Sequence, residues 1–286
     1  DEWLWRPALY YRWKYKTDFR MLSRRIAAEV LRGFPGPLWL KAWYFGNRQW
    51  RLHAKGDGIR PHNEEHVRNT YLKLLDALSH IFAEQDYLLG NQPCAADFGL
   101  FGSMFRHFGL DPTPSKIMRD QAPAVYEWVA RLWNARAARM PGTAQWMTAE
   151  TLPQSPGWAY LLRELGDVYL PYLQTNARAI ADNNKRFDLD IPGARYPSLK
   201  PNRYRLWCLN QLRGACRQLN EEDRKRADKL LHPYNIPQRL MQGEDIASGL
   251  EDEFVLPLPK RQIRTTGLKR LWFFFNGTPV DDYPRK

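Results

Sequence analysis

The sequence predicts an all-α fold: a helical bundle followed by a mainly helical extension that contains one short strand or hairpin. Three observations carry this. Apolar residues recur at threes and fours through the first 133 residues, strand-like alternation is nearly absent there, and breaks rich in Gly and Pro separate the periodic stretches. The exception is Phe187-Asp188-Leu189-Asp190-Ile191, which alternates with period two before Pro192-Gly193.

The elements follow in order. Residues 2 to 32 read as helix, with the stripe Trp3, Leu4, Pro7, Ala8, Tyr11 and Tyr15 interrupted near Thr17-Asp18 and resumed by Leu22, Ile26 and Val30. Gly33-Phe34-Pro35-Gly36-Pro37 ends it. Leu38 to Ala54 is an aromatic-rich helix stopped at Lys55-Gly56-Asp57-Gly58. Asn63 is placed to cap a long helix reaching about residue 85 on Val67, Tyr71, Leu74, Leu75, Leu78, Ile81 and Phe82. Asp111-Pro112-Thr113-Pro114 breaks the next helix, and Pro123 opens another that carries Val125, Trp128, Val129, Leu132 and Trp133. Turn-forming clusters at 140–143 and 152–157 then bracket a linker. The expected organisation is a helical domain over 1–140, a linker over 141–157 and a mainly helical extension over 158–286. In the extension, Ser155-Pro156 starts a helix, Pro171 kinks it, and further helices cover about 199–219 and 221–232.

Composition narrows the class. No run of about 18 apolar residues exists, so a spanning helix is not expected. Three cysteines without metal-type spacing argue against a secreted disulfide framework and for a cytoplasmic protein. Cys208 and Cys216, on one predicted helix, lie about 12 Å apart along its axis, too far to bridge. The formal charge is +12, from 43 basic and 31 acidic residues. The basic residues are spread along the chain, which reads first as solvated helix faces; an acidic substrate, nucleic acid or an anionic surface are the alternatives. The first residues are Asp-Glu rather than Met, which suggests a chain cut from something longer.

One stretch is unusually specific: YLLGNQPCAADFGLFGSMF, residues 87–105. A polar turn after Gly90 leads into a segment that opens Cys94-Ala95-Ala96-Asp97. That is the spacing of a reciprocal N-terminal cap, with the carboxylate reaching back to the first amide and sitting at the positive end of the helix. Phe98, Leu100, Phe101, Met104, Phe105 and Phe108 then lie nearly all round the helix, so it is expected at the centre of a bundle. Cys94 is also placed where a helix N-terminus lowers a thiol pKa, but the burial expected of it favours a structural role.

The same stretch resembles the signature of the C-terminal helical domain of glutathione S-transferases. Tyr87-Leu88-Leu89-Gly90, Pro93 and Cys94-Ala95-Ala96-Asp97 occupy the places of the family's Phe-Leu-Leu-Gly-like segment, loop proline and Ser/Thr-x-x-Asp box. Cys94 stands where the family has Ser or Thr. APAVYEWVARLW (122–133) resembles a later family helix, and the likeness covers residues 1 to about 137. It implies glutathione as co-substrate, bound mainly by a thioredoxin-like domain for which this chain has no βαβ pattern, and a hydrophobic electrophile bound by the helical domain. It implies a homodimeric intact protein of detoxification type. No catalytic residue can be assigned within the chain, and the chain alone is expected to be inactive. By the same resemblance the first helix lines the electrophile pocket through Trp5, Leu9, Tyr10, Tyr11, Arg12 and Trp13, with Arg12 meeting a carboxylate and the tyrosines stacking on an aromatic substrate.

Other constellations read as structure. His62 and His66 lack the glutamate directly after the first His that a zinc-protease helix needs, so no metal site is expected. Asp188 and Asp190 share the solvent side of the predicted strand. A non-catalytic interaction module is the main rival reading. A basic, aromatic nucleic-acid binder using residues 196–275 is a weaker one.

Overall fold

The computed structural model describes residues 2–140 and 142–251. Residues 252–286 of the expected extension, and with them the end of the 196–275 stretch named for nucleic-acid binding, lie outside the described residues. Among the described residues the chain is all-α apart from one hairpin. The first predicted helix is two, α1 (Trp5–Lys14) and α2 (Lys16–Val30), because Tyr15 is extended (φ −78°, ψ 128°). The break thus comes two residues before the Thr17-Asp18 expected for it. Asp18, in the first turn of α2, is fully buried and accepts from the backbone N–H and hydroxyl of Thr113. α3 (Leu38–Gln49) continues as a π turn over Trp50–Ala54. α4 (Glu64–Phe82) follows, with Val67, Tyr71, Leu74, Leu75, Leu78, Ile81 and Phe82 all buried.

Asn63 does not cap α4 through its side chain. Its Oδ1 accepts from the Arg60 amide, and its Nδ2 donates to the carbonyls of Gly58 and Arg195 at 2.9 and 2.8 Å. A buried amide with both ends satisfied by backbone holds the entry loop and the hairpin together, which outweighs one helix cap.

α5 (Ala95–Ser103) runs into a π turn over Met104–Phe108, then α6 (Pro112–Gln121) and α7 (Pro123–Trp133) follow. The expectation that α5 is buried all round is corrected. Asp97, Ser103, Met104 and Phe108 face inward, but Phe98 is 61% exposed and Ala95, Ala96, Gly99 and Gly102 are exposed with it. Apolar content decides how much of a helix can be buried, not which side meets a neighbour. On the outer side Phe105 stacks on Trp133 (4.5 Å) and on Phe101 (5.2 Å), an aromatic ladder along the rim.

The 140–157 region is stitched to the loop before α5. Met147 N–H donates to the Leu89 carbonyl at 2.8 Å and Gln145 N–H to Asn91 Oδ1 at 2.8 Å. α8 (Pro156–Glu164) then lies against α4, where Gly157 lets the backbones meet. A π turn over Leu165–Tyr169 leads to α9 (Leu170–Ala181). Pro171, which lacks an N–H and crowds the carbonyl a turn earlier, sits just after that wider turn.

β1 (Phe187–Ile191) and β2 (Ala194–Leu199) pair antiparallel, Leu189 opposite Tyr196 and Ile191 opposite Ala194. Gly193 takes φ +80° in the turn, and the register shifts between Phe187 and Leu189. Phe187, Leu189 and Ile191 are buried while Asp188 and Asp190 face solvent. α10 (Arg203–Arg217), α11 (Glu221–Leu231) and α12 (Ile236–Met241) complete the described chain. The main core mixes side chains from Trp3 to Leu199, including Val168, Tyr172 and the hairpin; a smaller core of Leu162, Leu170, Leu173, Leu206, Leu209 and Ile236 lies within the extension.

Candidate functional site

The start of α5 is built around one fully buried carboxylate. Asp97 Oδ2 accepts from the Cys94 N–H at 2.9 Å and the Cys94 thiol at 3.0 Å. Its Oδ1 accepts from the Leu88 N–H at 3.0 Å and the Trp128 indole N–H at 2.9 Å. Four donors from three segments thus surround a single anion, and the positive end of α5 adds to them. This arrangement sets where α5, α7 and the 87–90 loop meet, and so positions the end of α5 against α1.

Along that contact lies the seam on which Trp5 and Arg12 of α1 project. Trp5 is 38% exposed and packs edge-to-face on His107, their ring centres 5.7 Å apart. Arg12 grips Asp111 with two hydrogen bonds, Nε to Oδ2 at 2.7 Å and Nη2 to Oδ1 at 2.8 Å, and Nη2 also reaches the Arg106 carbonyl at 3.3 Å. Its guanidinium is therefore committed to a carboxylate of this chain. Burial pushes the Asp111 carboxyl up and Asp18 adds to that, while Arg12 pulls it down. Leu9, Tyr10, Tyr11 and Trp13 are buried. Tyr11 stacks on Tyr15 (5.2 Å) and meets Tyr71 edge-on (5.3 Å), and Trp13 packs on Phe45 and Phe19. Burial pushes the Tyr10 phenol up to about 12. The six α1 residues thus divide between a seam and a core, and only Trp5 and Arg12 reach solvent.

His107 is the residue on this seam that the sequence did not mark. It is buried, and its Nδ1 has no hydrogen-bond partner. Burial first, then the charges of Arg12 and Arg106, depress its pKa from 6.5 to about 3, so the ring is neutral. A depressed pKa means the unfolded chain binds this proton first. The stability His107 contributes is complete above pH 6.5 and is lost as pH falls toward 3. Lowering the pH from about 7 to about 5 should cost the wild type about 1–2 kcal/mol more than a His107→Leu variant. Urea unfolding at both pH values checks this; parallel losses would remove the assignment.

The remaining chemical groups are tied into structure. His62 and His66 hold the hairpin, the first on the Arg195 carbonyl (3.2 Å) and the second on the Tyr196 hydroxyl (2.8 Å). Among the described residues no cluster of three or more His, Cys, Asp or Glu side chains is arranged to bind a metal. The three cysteines are unpaired and half-buried. Burial and its bond to Asp97 raise the Cys94 thiol pKa, the opposite of an activated nucleophile. A cleft of ≈ 590 Å³ lies between the end of α4 and residues 145–156, lined by Glu84, Gln85, Trp146, Thr148 and Gln154 among others, and none of the six α1 residues lines it. Three arginines of α10 are tied to other parts of the chain. Arg205 pairs with Glu2 at 3.1 Å, Arg203 donates to the Ser248 carbonyl, and Arg213 donates to the carbonyls of Leu240, Gln242 and Glu244.

Asp18, Asp111 and Trp128 also escaped the sequence reading as site-building residues. A signal existed for Asp111: it precedes Pro112, and the structure puts it at the N-terminal flank of α6 with that proline at the first helical position. Asp18 and Trp128 carried none, because their partners lie 95 and 31 residues away.

The site is thus a helical bundle in which the start of α5 is fixed by the carboxylate of a Cys-x-x-Asp box. Residues 60–135, from the loop before α4 through α7, match the family model of the glutathione S-transferase C-terminal domain. Over these residues, about a quarter of the chain, the sequence is similar to that domain. No curated protein and no solved structure matches the chain.

Proposed function

We propose that the chain supplies the electrophile-binding half of a glutathione S-transferase-like reaction. In that reaction a glutathione thiolate forms a carbon–sulfur bond to a hydrophobic electrophile, and the leaving group departs with its bonding pair. The role of this chain is to desolvate and orient the electrophile. Trp5 offers the exposed aromatic surface. Leu9, Tyr10, Tyr11 and Trp13 hold α1 rigid behind it, and Arg12 ties α1 to the start of α6 through Asp111. No residue of this chain is assigned to thiol activation. The intact protein is proposed to be a cytoplasmic homodimer with glutathione as co-substrate. The observation that carries the reading is the family match over 60–135, with Trp5 exposed on the seam beside α5 in support.

The test is calorimetric. Residues 1–286 should bind a dinitrophenyl glutathione conjugate, and Trp5→Ala should weaken binding by about tenfold, the loss of one aromatic contact. Unchanged affinity in the variant sinks the placement of the site. The same chain mixed with glutathione and chlorodinitrobenzene should show only background conjugation; turnover above it would contradict the assignment of no catalytic group.

The exposed rings of Phe98 and Trp133, the latter stacked on Phe105, favour a second reading, a non-catalytic interaction module of the same fold. A Phe98→Glu variant that splits a dimer, in a protein that binds no aryl conjugate, would select it.

A further inference from the structure

The helical hairpin made by α2 and α3 has a use that electrophile binding does not absorb. Between Lys16 and Ala54 the sequence holds eight Lys and Arg residues against two acidic ones, a formal +6 and half of the chain's net charge. Of the two acids, Asp18 is buried against Thr113 and Glu29 is paired with Arg32 at 2.6 Å. Arg20, Arg24, Arg25, Arg32 and Arg51 are exposed.

The apolar residues of the hairpin divide sharply. Leu22, Ala27, Leu31, Ala42 and Phe45 are buried between the two helices and the body, and Gly46 lets Phe19 close over α3. At the turn that joins the helices, Val30, Phe34, Trp39 and Leu40 are exposed, and Trp43 follows one helical turn later. Trp39 is 71% and Trp43 59% exposed. The turn is held in shape by Lys41 Nζ on the Leu31 carbonyl at 3.2 Å, with Gly36 at φ +101° between Pro35 and Pro37. Apolar rings thus crowd the tip and cationic side chains follow behind them.

We propose that this hairpin seats on an anionic phospholipid surface, with Val30, Phe34, Trp39, Leu40 and Trp43 in the headgroup–acyl boundary and the arginines on lipid phosphates. Tryptophan favours that boundary because its ring is apolar and its N–H finds a partner at headgroup level. Arginine chains lay their methylenes along the apolar zone and keep the guanidinium among phosphates. Charge decides against the other occupants. A second copy docked on the same face would bring two +6 hairpins together. A nucleic acid would meet the arginines but leave Val30 and Leu40 in water. The association is peripheral: no helix among the described residues is long and apolar enough to cross a membrane.

The test is vesicle co-sedimentation of residues 1–286, with vesicles of phosphatidylcholine alone and vesicles in which roughly one lipid in three is phosphatidylglycerol. Binding is expected to the mixed vesicles at low salt, to fall steeply as salt rises, and to drop about tenfold in a Trp39→Ala/Trp43→Ala variant. An Arg24→Glu/Arg25→Glu variant should lose affinity for the mixed vesicles without losing its far-ultraviolet dichroism. Both tryptophans are exposed, so the double variant should keep its melting temperature. Bromine-labelled lipid should quench wild-type fluorescence more than that of the double variant. Failure to sediment at low salt, sedimentation indifferent to both variants, self-association that the tryptophan variant abolishes, or tighter binding to a single-stranded oligonucleotide would each overturn the proposal.

Discussion

Replacing Asp97 with alanine is expected to lower the unfolding free energy by about 4 kcal/mol, the cost of stripping a buried, fully bonded charge from its donors. The magnitude follows from what remains. The Cys94 and Leu88 amides and the Trp128 indole keep their N–H groups pointed into the vacated space, and each loses its acceptor at once. Helix propensity points the other way, since alanine is the better helix former, but it contributes only about 0.5 kcal/mol and cannot reverse the sign. An asparagine side chain would keep the shape and one acceptor oxygen while turning an NH₂ toward the Cys94 amide, so Asp97→Asn should cost about half as much. Chemical denaturation followed by tryptophan fluorescence measures both. A change under about 1 kcal/mol for the alanine variant would mean that the carboxylate does not hold α5 in place.

Gly157→Ala is expected to destabilise by about 3 kcal/mol, although it exchanges a poor helix former for the best one at the second position of α8. An added methyl carbon would stand 2.1 Å from the Ala77 carbonyl oxygen and 2.7 Å from Ile81 Cγ1. The oxygen belongs to the backbone of α4, so relief requires the two helices to part. The propensity gain of about 1 kcal/mol is outweighed by that separation. Because α8 carries the extension onto the bundle, the variant should also expose residues 141–157 to limited proteolysis. A wild-type melting temperature in the alanine variant would show that α4 and α8 separate at little cost.

Much of this arrangement could be read from the residues. The stripes at threes and fours placed α3, α4 and α7 to within a few residues, because each has one continuous buried side. The hairpin was legible for the matching reason, an alternation running from Phe187 to Ile191 next to a Pro-Gly turn. Limits appeared where an interaction reaches far along the chain. Asn63 looked like a cap and instead joins a loop to a strand more than a hundred residues on. Asp18 looked like an interruption of a helix and instead secures the start of α6. α5 was the clearest misreading: its composition says how greasy it is, and only the placement of α7 decides that Phe98 faces out. In the candidate site, Trp5 and Arg12 were named only through the family resemblance, which puts the first helix at the pocket. His107 was hidden in a run of aromatic and basic residues, and nothing local distinguishes a buried neutral imidazole from an exposed one.

Arg6 shows what a guanidinium does that an ammonium could not. It is almost wholly buried, with its carbon 4.4 Å from the ring centre of Trp3, 4.7 Å from that of Tyr172 and 5.2 Å from that of Tyr196, and Nε donating to the Asp57 carbonyl at 3.0 Å. Arg205 approaches Tyr172 as well, at 4.9 Å. A flat, delocalised cation lies against ring faces with little hydration to lose. The Arg6 contact at the joint between the bundle and the later helices is therefore out of reach of enzymes that acylate lysine.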